Sequence, residues 1–140
     1  MRVKDIMQSE VTTLGLGDSL DVANDIMTLG RVRHLPVVTD EDRLVGVVTQ
    51  RDLLKASIAS VLDLSRRAER DWLKGIPVGL VMVKDVVTTS PERPLREAVE
   101  LMIHRKIGCL PVVDGERLVG LVTETDCLKA LAGLLPPGSA

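Results

Sequence analysis

Residues 43–56 read RLVGVVTQRDLLKA, and residues 117–130 read RLVGLVTETDCLKA. Ten of the fourteen positions are identical, among them Gly46/Gly120, Thr49/Thr123 and Asp52/Asp126. The duplication extends outward from this stretch. With an offset of 75, residues 3–38 align with 78–113 without a gap, pairing Val3 with Val78, Met7 with Met82, Ala23 with Ala98, Met27 with Met102 and LPVV with LPVV. One residue is lost further on, where TDEDR becomes DGER. Each copy is thus one supersecondary unit, too small to bury its own apolar face alone.

Within the first copy, residues 11–14 are short and β-prone. Asp18 or Ser19 then offers a helix N-cap, and Leu20, Ala23 and Met27 recur at helical spacing. LPVV and RLVGVV read as two apolar strands joined by turn residues, which is a β-hairpin. Thr49 opens a second helix, so the order is β-α-β-β-α. The second copy repeats it, with Asp114-Gly115 as a tighter turn and Pro94 suited to the first turn of its helix. The expected class is α/β (α+β), divided as repeat 1 (1–58), a connecting helix (59–77), repeat 2 (78–134) and a flexible tail (135–140). Val61, Leu64, Ala68 and Trp72 form one stripe on the connecting helix, serving either internal packing or a dimer contact.

Composition narrows the function. The 140 residues are 45% hydrophobic with a net charge of −2, which describes a globular chain without a nucleic-acid-binding charge excess. One Trp, with no Phe or Tyr, leaves almost nothing on which to stack bases. Cys109 and Cys127 lack metal-ligand spacing and read as small hydrophobes in a reducing compartment. Neither a signal-peptide core nor a membrane-spanning run is present, so a cytoplasmic protein with no membrane partner is expected. No nucleophile–base motif, P-loop or metal motif stands out, and the chain does not read as an enzyme.

Thr49 and Asp52 fit a capping box, as do Thr123 and Asp126. Each pair could serve only to satisfy orphan amides at a helix start, worth about 1 kcal/mol per cap. The alternative is a ligand seat. A helix N-terminus after a strand attracts phosphate, and a carboxylate beside it can accept from ribose hydroxyls.

Val3–Met7 (VKDIM), the LPVV strands, the GVVTQRD and GLVTETD turns and the tandem repetition together resemble a CBS-domain pair, or Bateman module. The resemblance covers residues 3–56 and 78–131. It implies two repeats packed through their sheets with pseudo-two-fold symmetry, leaving clefts that take an adenosyl ligand: AMP, ADP, ATP or S-adenosylmethionine. On this likeness Asp52 and Asp126 hold ribose, while Thr49 and Thr123 meet ribose or phosphate. Thr12, Thr13 and Val32 line one adenine pocket, and Val87, Thr88 and Ile107 line the other. Val47 and Leu121 complete the apolar walls. Arg33, His34 and Arg51 give the first cleft positive charge where the second has Gly108, Cys109 and Thr125, so the first is expected to favour a phosphorylated ligand. The resemblance thus implies a regulatory adenosine-nucleotide-binding module, a homodimer, acting on an unknown effector protein. The alternative is a structural dimerisation module without a ligand.

Overall fold

The two apolar runs of each copy pair as antiparallel hairpins whose strands are buried on both faces, residues 35–38 and 46–48 in the first copy and 109–112 and 120–122 in the second, which is why they read as continuous apolar runs. The computed structural model describes residues 1–58 and 73–138. Along them run α1 (Val3–Ile6), β1 (Leu14–Gly15), α2 (Leu20–Gly30), β2 (His34–Val38), β3 (Leu44–Thr49), α3 (Gln50–Ile58), a 3-10 turn (Val78–Leu80), α4 (Leu95–Arg105), β4 (Cys109–Asp114), β5 (Arg117–Thr123) and α5 (Glu124–Leu134). The β-α-β-β-α order is present in the first copy. The stripe of Val61, Leu64, Ala68 and Trp72 lies outside the described residues.

The chain divides into two compact units that interleave in sequence. One is Thr12–Val86, and the other joins Met1–Val11 to the residues from Val87 onward. The duplication and the compact units therefore partition the chain differently. Val78, from the leader of the second copy, is fully buried with Leu14, Leu20, Ala23, Leu35, Val37 and Val48 of the first. Val3, from the leader of the first copy, is fully buried with Ala98, Met102, Leu110, Val112 and Val122 of the second. The repeats have exchanged their leaders.

In the unit Thr12–Val86, β1, β2 and β3 form one sheet in that order, β1 parallel to β2 and β3 antiparallel to it. The first strand is shorter and later than the run 11–14: only Leu14 and Gly15 pair, with Val37 and Val38. Its counterpart in the other unit contracts to a single bridge between Thr89 and Val112, beside the two-stranded sheet of β4 and β5. Ser19 stands at the N-cap of α2, but its hydroxyl bonds the Asp21 carboxylate; Asp18 Oδ2 accepts instead from the Gly15 amide at 2.8 Å. Pro94 is the N-cap of α4, with Leu95 the first helical residue.

The hairpin turns differ as the lost residue requires. Asp114 and Arg117 pair directly around Gly115, whose φ of 65° suits glycine. The longer loop of the first copy places Asp42 at φ 61° and folds around Thr39, whose Oγ1 accepts from the amides of Glu41 and Arg43. Among the described residues, no helix is long and apolar enough to cross a membrane.

Candidate functional site

Each hairpin runs straight into a helix, and the Thr-x-x-Asp pairs stand at that change of direction. In the first copy the Thr49 amide donates to Asp52 Oδ2 at 2.8 Å and the Thr49 hydroxyl donates to the same oxygen at 2.9 Å. The Asp52 amide returns a bond to Thr49 Oγ1 at 3.2 Å. The second copy repeats all three, at 2.9, 3.0 and 3.3 Å, between Thr123 and Asp126. These are capping boxes with a third bond added, so the helix-starting role is real. It uses only one carboxylate oxygen. Among the described residues nothing donates to Asp52 Oδ1.

The neighbouring strand fixes what surrounds each pair. His34 stands opposite Thr49 in the β2–β3 ladder, and Cys109 stands opposite Thr123 in β4–β5. Directly opposed residues share a sheet face. On that face lies also Val47, two residues before Thr49, while Leu35, Val37 and Val48 of the opposite face enter the core. Leu121 has the matching place before Thr123, and both Val47 and Leu121 are buried. The Gln50 amide donates to the Arg33 carbonyl at 2.9 Å, and the Glu124 amide to the Gly108 carbonyl at 3.0 Å, pinning each strand-to-helix turn.

The charge around the two turns differs. In the first copy Arg33 and Arg51 are exposed and form no ion pair with a described residue; Arg51 lies in the first turn of α3, and Arg33 is tied to that turn through its carbonyl. The second has Gly108 and Thr125 there. Cys109 is buried, and burial pushes its thiol up to about 12, which removes it as a nucleophile near neutral pH. Cys127 is half-buried and its thiol is also raised, by burial first and then by the charges of Asp126 and Glu124. Among the described residues no group of His, Cys, Asp and Glu is placed to hold a metal.

The remaining expected residues are less tightly gathered. Thr12 and Thr13 lead into β1, on the edge of β2 away from β3, and their hydroxyls bond no described residue. Thr88 leads similarly into the Thr89 bridge. Val32 packs against the core of its own unit, as Val87 and Ile107 do in theirs.

One residue at the second turn has no place in the sequence-based set. Gln8 donates from Nε2 to both oxygens of Asp126, at 3.2 and 3.0 Å. Its backbone is held against β5 by paired bonds with Leu121, at 2.9 and 3.0 Å. Val83, from the leader of the second copy, occupies the equivalent position at the first turn and is paired in the same way with Val47, at 2.9 and 3.1 Å. Gln8 lies 118 residues from Asp126, and only the leader exchange brings them together. The alignment of Gln8 with an apolar Val83 was the available signal.

A β-α-β-β-α copy and a second in which the first strand contracts to a bridge, each with a capped Thr-x-x-Asp turn, form a tandem repeat, and comparison with known proteins places it in a family. The CBS domain model matches residues 3–59 and again 71–133. The chain belongs to the CBS domain family and carries its domain as a pair. It is 34% identical over 136 residues to a CBS domain-containing protein of Dictyostelium discoideum, covering 96% of this chain and 94% of that one. It resembles the CBS domain pair of protein MJ0100 solved with 5′-methylthioadenosine and S-adenosyl-L-methionine, at a TM-score of 0.81 and 27% identity over 96% of this chain and 98% of that one. It also resembles CBSX2 solved with AMP, at a TM-score of 0.79 and 27% identity over 95% and 97% of the two chains.

Proposed function

We propose that the chain is a regulatory module that binds an adenosine compound at its Thr-x-x-Asp turns, AMP, ADP, ATP or S-adenosylmethionine being the candidates. The observation that carries this reading is Asp52 Oδ1, which accepts from no described residue although its carboxylate is already fixed by Thr49, with Arg33 and Arg51 beside the same turn. A carboxylate held in that way is preorganised to accept from a ribose diol, and the guanidinium groups suit phosphate. Ligands bound to the similar CBS pairs, AMP in one and S-adenosyl-L-methionine in another, support the same chemistry. Signalling requires that the ligand favour one arrangement of the protein over another.

A thermal-shift titration against the four compounds tests this. Ligand at 100 times its dissociation constant adds about 2.7 kcal/mol of stability. The reading predicts that at least one compound raises the midpoint and that Asp52→Ala abolishes part of the shift. If none does, while Asp52→Ala and Asp126→Ala merely melt lower, the turns are caps and nothing more.

A second reading, a structural dimerisation module, draws support from the exposed Leu54, Leu128 and Leu131 on α3 and α5. Sedimentation analysis of the ligand-free protein distinguishes it: dimerisation unaffected by any adenosyl compound would favour the scaffold.

A further inference from the structure

Asp52 and Asp126 are matched in sequence and in their bonds to Thr49 and Thr123, yet their outer faces differ. Asp126 Oδ2 accepts from the Thr123 amide, the Thr123 hydroxyl and Gln8 Nε2, and Asp126 Oδ1 accepts from Gln8 Nε2 as well. Asp52 Oδ1 accepts from no described residue. The difference traces to one position in the exchanged leaders. Gln8 and Val83 are each clamped by two backbone bonds to the strand that precedes the Asp. The side chain delivered there is an amide donor in one copy and an apolar group in the other.

We propose that Gln8 is a built-in competitor for the Asp126 carboxylate, a specificity-determining residue that sets how readily the second turn accepts a vicinal diol. The inference rests on the nucleotide-binding reading above. A diol donates two hydrogen bonds, and a carboxylate accepts them best with one hydroxyl to each oxygen. At Asp52 that geometry meets one oxygen to which no described residue donates. At Asp126 it meets two oxygens already sharing an amide, which must turn away. Breaking a hydrogen bond of this kind lowers affinity by roughly two- to ten-fold. The two turns therefore fill in sequence as ligand rises, with the first copy responding at lower concentration than it would if Val83 were Gln.

The backbone amides of Thr49 and Thr123 report the two turns separately, since each donates to its own Asp. AMP and S-adenosylmethionine are titrated into the 15N-labelled full chain while both amides are followed by NMR. Gln8→Val installs the residue of the other copy, and Gln8→Met keeps the side-chain length without a donor. Both are expected to tighten the Thr123 response roughly two- to ten-fold and to leave the Thr49 response unchanged. Val83→Gln is expected to weaken the Thr49 response. In ligand-free protein, Asp126→Asn is expected to shift the Gln8 side-chain amide resonances. If those resonances do not move, or if Gln8→Val and Gln8→Met leave the Thr123 affinity unchanged or weaker, the competitor role is overturned while nucleotide binding stands. If neither amide responds to either probe in any variant, the nucleotide reading itself fails and the competitor role falls with it.

Discussion

The carbonyl oxygen of Val83 lies 3.0 Å from the point where a Cβ on Gly46 would stand, and Gln8 O lies 2.9 Å from the same point on Gly120. The Met82 and Met7 side chains press on the same two places. Each glycine is thus the gap through which the other copy's leader crosses the strand. Gly46→Ala and Gly120→Ala should each destabilise the protein by about 1–3 kcal/mol, the usual cost of overpacking against backbone. Urea denaturation of the two variants measures this. A loss below a few tenths of a kcal/mol would mean that the leader shifts without penalty.

The same glycines show where sequence reasoning stopped. Helical spacing marked the helix of Leu20, Ala23 and Met27, and short apolar runs between turn residues marked the hairpins, both patterns being local enough for a linear reading. Met27, Leu35 and Val48 fall in these patterns, and they are core residues. Thr49 and Asp52 were also legible, since a capping box is written within four residues. The leader exchange was not. Nothing local in Val3 or Val78 says which copy buries it, as both cores are built from nearly the same residues. Gln8 was hidden for the same reason: its partner is fixed by the exchange. The late start of β1 is a weaker effect, since residues 11–13 are β-prone but only Leu14 and Gly15 meet a partner strand.

Thr89 carries the one side-chain oxygen among the described residues that is buried without a hydrogen-bond partner. The residue is 4% exposed, and the matching position in the first copy is the fully apolar Leu14, 1% exposed. Its amide and carbonyl are satisfied by Pro111 and Val113, so only the hydroxyl is in deficit. Thr89→Val keeps the shape and removes the deficit. A gain of about 1 kcal/mol in unfolding free energy is expected, because a buried unbonded hydroxyl costs about that much or more. A loss of stability on thermal or urea unfolding would show that the hydroxyl is satisfied in solution.

Cys109 should stay unreactive until the protein unfolds. Its thiol is raised from 9.0 to about 12 by burial, so the folded state holds the proton more tightly than the unfolded chain. With the folded pKa the higher of the two, this contribution is complete below about 9 and is lost as pH rises toward about 12. Stability should therefore fall across that window, and Cys109→Val should flatten the fall relative to the parent. Thiol labelling with a disulfide reagent at pH 8 offers a second check: the half-buried Cys127 reacts first, and Cys109 reacts only with denaturant. Equal rates for the two thiols in native protein would contradict the burial.

Val3 belongs by sequence to the first copy and by packing to the core of the second. Val3→Ala should cost about 2 kcal/mol, as for other truncations of fully buried aliphatic side chains. The informative readout is where the cost falls. Hydrogen exchange should lose protection at Leu110, Val112 and Val122, whose core Val3 completes, and not selectively at Leu35, Val37 and Val48. Val78→Ala should give the reverse pattern, because Val78 fills the other core. If each substitution instead loosened the hairpin of its own sequence repeat, the leaders would not be exchanged in solution, and the close approach at Gly46 and Gly120 would need another cause.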